Sequence, residues 1–294
     1  MSVTIIINPI AGGATPEEGR RRAERAMATL SKLGATGEVF VTERRGHARE
    51  LSLAAVTRGA RLLIAWGGDG TVNEVASCLA FGTVPLAIVP SGSGNGLARA
   101  LEIHKRPEGA IAEALSAPPR RIDAGEIDGR LFFSVAGVGF DAHVAACFDR
   151  DLRGRRKFSG YVRVAARELA SYRPRAYRIS GHAEGRARHA LLVTLANSSQ
   201  FGNGARIAPD ALVDDGALDL VVVEETSRLR TLCSLPALFN GRIGRARGVS
   251  IQRVTAATIE GDAPLLFHVD GEPVAGGARL EARVHPAALA VAVR

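Results

Sequence analysis

The chain has 294 residues, 46% apolar and 23% charged, which excludes a disordered polymer and leaves room for two cored domains or one large one. No apolar run approaches the roughly 20 residues that cross a bilayer, and Met1-Ser2-Val3-Thr4-Ile5-Ile6-Ile7-Asn8 lacks the basic flank and cleavage site of a signal peptide. A formal charge of +8 calls for an anionic partner (nucleic acid, phosphates or an acidic membrane), although a compositional bias toward Arg gives the same excess. The widely spaced Cys78, Cys147 and Cys233 have no metal-ligand spacing and read as reduced thiols of a cytoplasmic protein.

In chain order, residues 3–7 form a β-branched strand ending in the glycine turn Asn8-Pro9-Ile10-Ala11-Gly12-Gly13. A helix begins at Pro16-Glu17, keeps Ala23, Ala26, Met27, Leu30 and Leu33 at helical spacing, and closes at Gly34. Residues 38–42 read as a strand and 47–58 as a helix with Leu51, Ala54 and Ala55 inward. The apolar run 62–65 opens onto Trp66-Gly67-Gly68-Asp69-Gly70-Thr71-Val72-Asn73-Glu74 and a third helix. A fourth strand, 84–89, ends in Pro90-Ser91-Gly92-Ser93-Gly94-Asn95-Gly96 before a helix at 97–101. This alternation predicts a mostly parallel sheet covered by helices on both faces. Ligands of such sheets bind at the carboxyl ends of the strands, where all three glycine turns lie.

After Pro118-Pro119 the pattern changes. Residues 121–127 lead into 131–135 and then Ala136-Gly137-Val138-Gly139-Phe140, and the basic run 150–157 precedes a helix at about 161–172. Short strands follow at 176–180, 190–196, 217–223, 249–254, 265–270 and 280–284, which predicts an antiparallel sandwich. Residues 227–240 read as one inserted helix, and 288–293 as a strand returning to either sheet.

A strand, a glycine turn and a helix start make an anion site, because free N–H groups and the helix dipole favour negative charge. Asp69 would repel a phosphate there unless a cation bridges them, which suggests a nucleotide phosphate with Mg²⁺. The plainer alternative is a turn whose Asp caps the helix. By themselves Asp270-Gly271 reads as a hairpin turn and Asp214-Asp215-Gly216 as a turn between strands.

With these pieces in place, the sequence resembles the diacylglycerol kinase catalytic family, and its soluble bacterial lipid kinases in particular. The resemblance rests on Asn8-Pro9-x-x-Gly12, Gly67-Gly68-Asp69-Gly70-Thr71-x-Asn73-Glu74, Pro90-x-Gly92-Ser93-Gly94-Asn95-x-x-Ala98-Arg99 and Ile122-Asp123-x-Gly125. It continues through Asp214-Asp215-Gly216-x-Leu218-Asp219 and Val269-Asp270-Gly271-Glu272. It implies a Rossmann-like three-layer α/β nucleotide-binding domain over residues 1–121 and an antiparallel β-sandwich lipid-substrate domain over 122–285. Residues 286–294 would be a C-terminal strand that could return to the first domain, and the active site would lie in the cleft between the two.

In that family ATP would lie across Asn8, Gly12, Thr42, Gly67, Gly68, Asp69, Gly70, Thr71, Asn73 and Ser93. Asp69 and Asp123 would position Mg²⁺ and phosphates. Asp270 would be the general base, with Glu272 in support, since an alcohol attacks phosphorus well only if its proton leaves. Asp215, with the carbonyls of Leu212 and Ala217, would form a second metal site. Two departures stand out: Gly13-Ala14 replaces a common Lys, leaving Arg20 or Arg21 to neutralise phosphate, and Gly92-Ser93-Gly94-Asn95 is closer to sphingosine kinases. The implied partners are a membrane lipid substrate, an anionic membrane surface touched through residues 150–157 or through Arg242, Arg245 and Arg247, and a second copy in a dimer. Nucleic acid is not expected. NAD kinase, with the same Gly-Gly-Asp-Gly turn, is the alternative enzyme; a nucleotide sensor or nucleic-acid binder is the alternative of another class.

Overall fold

The structure, a computed structural model, describes residues 2–151, 158–181 and 186–294. It divides into two compact units, the first made of residues up to Ile122 together with Ala287–Arg294. In chain order this unit holds β1 (Val3–Ile7), α1 (Pro16–Lys32), β2 (Gly37–Val41), α2 (His47–Thr57), β3 (Leu62–Gly67), α3 (Asp69–Leu79), β4 (Leu86–Pro90), α4 (Gly96–Ala100) and α5 (Pro107–Ser116). The strands run parallel in the order β2-β1-β3-β4, and Val291 pairs in parallel with Leu86 on the free side of β4. Every residue of β1 and β3 is buried. That explains their unbroken apolar runs, since a strand covered on both faces has no solvent side to mark with polar residues.

Helix α1 starts with the Thr15 hydroxyl accepting the Glu18 N–H at 3.4 Å and ends at Gly34, whose φ of 66° favours glycine. Its core face is Ala26 and Leu30, whereas Met27 and Leu33, read as inward from spacing, are exposed. On α2 the inward residues are Ala48, Ser52 and Ala55, and Ala54 is exposed. Ser52 stays buried because its hydroxyl donates to the Ala48 carbonyl at 2.7 Å. Helix α5, absent from the sequence reading, lays Ala110, Ile111 and Ala114 on the core with Trp66 and Val89.

The second unit begins at Asp123 and ends at Pro286. Its elements are β5 (Pro119–Ile127, which enters from the first unit), β6 (Arg130–Phe132), β7 (Val135–Gly139), α6 (Phe140–Asp151), α7 (Phe158–Leu169), β8 (Arg175–Ser180) and β9 (Arg186–Ala196). There follow β10 (Leu218–Glu224), α8 (Arg228–Phe239), β11 (Val249–Val254), β12 (Ala256–Glu260), β13 (Leu266–Val269), β14 (Glu272–Ala275) and β15 (Arg279–Ala292). The order is β14-β13-β7-β9-β8-β12-β15, with β10 joining β9 to β11 and β5 joining β15 to β6. Strand β9 organises the sandwich: it pairs antiparallel with β7, β8 and β10. Phe132, Tyr177, Leu195 and Phe267 fill the core over it.

Three elements here were not read from sequence: α6, β12 and β14. The separate strands expected at 280–284 and 288–293 are one, β15, which runs from the second unit into the first. Among the described residues no helix is long and apolar enough to cross a membrane, and all three cysteines are free.

Glu126 ties β5 to β15 by accepting from Arg283 Nη2 at 3.0 Å and pairing with His285 Nε2 at 2.8 Å. Burial raises the Glu126 carboxyl, but hydrogen bonds from His285 and Arg283 outweigh it and hold the group below its usual range. A depressed folded-state value stabilises the fold above the unfolded value and loses that contribution as pH falls through the folded one. Glu126→Gln should therefore lower stability by about 1 kcal/mol at neutral pH. In urea unfolding, the difference from the native chain should close as pH falls below the ordinary value of 4.5.

Candidate functional site

In the first unit the three glycine turns meet at the carboxyl ends of β1, β3 and β4. The Asn8 amide donates to the Trp66 carbonyl at 2.9 Å, and its side-chain Nδ2 donates to Thr71 Oγ1 at 2.9 Å, so the first turn is fastened to the start of α3. The Ser91 amide donates to the Gly67 carbonyl at 2.9 Å. Two glycines are required by closeness. A Cβ on Gly12, which has φ of 75°, would stand 2.4 Å from the Ser91 carbonyl oxygen, and one on Gly92 would stand 2.5 Å from Gly68 Cα.

Asp69 has a specific partner set. Its Oδ1 accepts the Gly96 N–H at 2.6 Å and its Oδ2 the Asn95 N–H at 2.8 Å. It is thus the first residue of α3 but caps α4, whose first N–H groups it neutralises. Glu74, one turn further along α3, does the same for α2, accepting from Gly46 N at 2.9 Å and Arg49 N at 3.4 Å. Asn95 adopts a left-handed φ of 54° and closes its loop by exchanging two bonds with Gly92. Gly70, Asn73 and Ser93 are half-buried, and Thr42 is buried just past β2, its N–H donating to the Ile7 carbonyl.

Arg20 and Arg21 are both exposed; two other cations reach these turns, Arg99, whose Nε donates to the Gly94 carbonyl at 3.1 Å, and Arg22. Its guanidinium donates to the carbonyls of Asn8 and Ala11 at 3.1 Å and reaches Ser91 Oγ at 3.4 Å. Desolvation by burial lowers its pKa, with Glu18 opposing. The helical period places Arg22 beside Arg21; only the turn's fold selects it.

In the second unit Asp270 and Gly271 form the hairpin turn between β13 and β14, with φ of 47° and 84°. The Asp270 carboxylate is buried and accepts three amides: Phe133 N at 3.0 Å, Ser134 N at 2.8 Å and Val135 N at 3.1 Å. Asp123 is buried at the start of the unit, its Oδ2 accepting Gly216 N at 2.7 Å. The two acids share an intermediary that sequence did not reveal, the fully buried Asn197. Its Nδ2 donates to the carbonyls of Asp123 at 3.1 Å and Phe133 at 3.0 Å. Glu272 is the first residue of β14, half-buried, two residues past Asp270.

A second buried group holds the hairpin from behind. Strands β13, β7 and β9 place His268, Gly137 and Thr194 in one row, and Asp141 of α6 lies over the gap left by the glycine. Asp141 Oδ2 accepts from Thr194 Oγ1 at 2.9 Å and stands 3.4 Å from His268 Nε2, while the Gly271 N–H donates to His268 Nδ1 at 3.3 Å. The imidazole therefore carries its proton on Nε2 and links a buried carboxylate to the turn that bears Asp270.

The residues expected to hold a second metal meet a different partner. Asp215 Oδ1 accepts the Ala217 N–H at 3.1 Å, and Oδ2 accepts from Arg253 Nη2 at 2.5 Å. A guanidinium thus supplies the positive charge there, and a divalent ion would have to compete with it for the same oxygen. Leu212 is exposed. Burial pushes the nearby Asp219 carboxyl up, Asp215 adds to the rise and Arg253 opposes it. Of the two basic clusters, Arg242, Arg245 and Arg247 are exposed, and residues 152–157 of the other lie outside the described residues.

Residues 2–127 match the model of the diacylglycerol kinase catalytic domain, and residues 134–293 that of the YegS C-terminal NAD kinase beta sandwich-like domain. A Pseudomonas aeruginosa (strain PAO1) protein named "Probable lipid kinase YegS-like" is 32% identical over 277 residues, 94% of this chain and 90% of its own. One of the same name from Chromohalobacter salexigens is 31% identical over 252 residues, 84% of this chain and 81% of its own. The crystal structure of a diacylglycerol kinase from Bacillus anthracis str. Sterne aligns with a TM-score of 0.73 at 18% identity, covering 100% of this chain and 97% of that one. At that identity the likeness speaks to the fold.

The row under Asp141 makes a sharp test of packing. A Cβ on Gly137 would stand 1.9 Å from Asp141 Oδ2 and 3.0 Å from His268 Nε2. Gly137→Ala should cost about 1–3 kcal/mol in urea unfolding. An unchanged midpoint would mean that the buried group is not held as described.

Proposed function

Because the chain belongs to the diacylglycerol kinase catalytic-domain family, in its YegS-like branch, we propose that it transfers the γ-phosphoryl group of ATP to the hydroxyl of a membrane lipid, with Mg²⁺. The observation that carries this reading is the convergence of the three glycine turns, with Gly68 against Gly92 and Asn8 on Thr71. Backbone packed that closely, at strand ends and helix starts, favours a chain of phosphates over a bulkier ligand.

Amides and hydroxyls of Gly12, Gly67, Gly68, Gly70, Thr71 and Ser93 bind and orient the phosphates, and Asn8, Thr42 and Asn73 frame them. Asp69 and Asp123 offer hard carboxylate oxygens, the donor type Mg²⁺ takes, directly or through water. Mg²⁺ when bound neutralises charge on the phosphates. Asp270 takes the proton of the lipid hydroxyl as the P–O bond forms, with Glu272 in support. The three amides on its carboxylate fix its direction, which a base requires. The acceptor class is a long-chain alcohol such as diacylglycerol, a sphingoid base or ceramide.

The test is transfer of labelled γ-phosphate from ATP to a mixed lipid extract. Asp270→Asn should lower turnover by about 100-fold or more while ATP binding persists. The new amide would face the Phe133 N–H donor to donor, so a thermal melt must accompany the assay. Chelation of Mg²⁺ should abolish transfer by the native chain. Label on NAD instead of lipid would refute the reading in favour of NAD kinase, and silence with ATP bound would favour a sensor. Separately, Gly92→Ala should weaken ATP binding about 10-fold or more by forcing the second and third turns apart, with Asp270 untouched.

A further inference from the structure

Helix α8 has an unusual solvent face. Leu232, Leu235 and Phe239, spaced three and four apart, lie on one side and are 47%, 42% and 53% exposed. The adjoining edge of the helix is already used: Leu238 packs on the cluster around Ile207 and Val221. The three outward residues therefore have no fold to stabilise, and large apolar side chains side by side in water mark a contact surface.

The charge around that face is equally one-sided. Residues 226–259 contain six Arg and no Asp or Glu, in a chain with 30 acidic residues. At the chain's average density about three or four acids would fall in such a stretch. Arg230 lies in the first turn of the helix, and Arg242, Arg245 and Arg247 follow it through a short turn; all four are exposed and none has an acidic partner among the described residues. Arg253, by contrast, is spent on Asp215.

An apolar stripe flanked by unpaired guanidinium groups and free of carboxylates complements one class of partner: a surface apolar beneath a negatively charged layer. We propose that α8 and the turn after it form the docking surface for an anionic lipid bilayer, with Leu232, Leu235 and Phe239 entering the acyl boundary and the four Arg meeting headgroup phosphates. This deepens the lipid-kinase reading and rests on it for its purpose, since a water-borne enzyme must meet its acceptor at a membrane.

The experiment is co-sedimentation of the full chain with vesicles of phosphatidylglycerol in phosphatidylcholine, against phosphatidylcholine alone. The native chain should bind the anionic vesicles and release as salt rises. Arg242→Glu, Arg245→Glu and Arg247→Glu together should weaken binding about 100-fold or more. Leu232→Ser, Leu235→Ser and Phe239→Ser together should also lose it, while Lys32→Glu with Arg61→Glu, exposed on the first unit, should not. Phosphate transfer to lipid dispersed in detergent micelles is measured in parallel on every variant. Vesicle binding lost with micellar transfer intact supports the docking surface. Vesicle binding unchanged overturns it and leaves the kinase reading standing; docking with no lipid phosphorylated by any variant overturns the kinase reading instead. A native dimer that the serine variants dissociate, with vesicle binding retained, makes the face an interface between copies and also overturns the proposal.

Discussion

Backbone amides, more than side-chain cations, hold the acids on which this structure depends. A carboxylate drawn out of water must be compensated, and four of the buried or half-buried acids here are met by N–H groups. Asp69 takes two from the start of α4, Glu74 two from the start of α2, Asp123 one from Gly216, and Asp270 three from Phe133 to Val135. Each such bond joins segments far apart in sequence. The acids are therefore fasteners as well as candidate reactive groups, and removing one would disturb position and chemistry together. Arg residues, abundant as they are, pair mainly on the exposed surface, where such pairs are worth little.

How much of this could be read beforehand depends on whether the signal is local. The three glycine turns were legible because each follows an apolar run and precedes a helix, and those cues lie within ten residues. The parallel sheet followed from alternation alone. Helix α5 has the same opening as α1, a Pro followed by Glu, but its Ala-rich face gives weak periodicity, and it went unread. Helix α6 begins directly from β7 at Phe140, with no loop to announce it. Strands β12 and β14 are short and contain residues that strands seldom favour.

The acids themselves were legible as motif members, but their partners were not. Asp270 reads as a hairpin residue, and the structure makes it one while also burying it. What decides its surroundings is Asn197, His268 and Asp141, which come from a strand end, the row of a sheet and a helix. No spacing in sequence connects them; they meet because β7 pairs with both β13 and β9 in one register. In the same way Arg22, not its neighbours, reaches the first turn because the helix phase and the turn must agree. Arg253 opposite Asp215 is a register effect too, since it sits across the ladder from Asp219.

Strand β15 has a consequence for how the protein is born. Its last residues close the free side of β4 through Val291 and Leu86, and Phe81 and Arg121 bond the carbonyls of Ala288 and Ala287. Ribosomes add about 5–20 residues each second, so the partner of Leu86 emerges roughly 10–40 s after it. Through that interval the nascent first unit carries an open parallel edge, the kind of surface that pairs wrongly with neighbouring chains. The sandwich must be translated in full before the edge is sealed. Maturation of the first unit thus waits on the synthesis of β15, and chaperone demand should concentrate on that window.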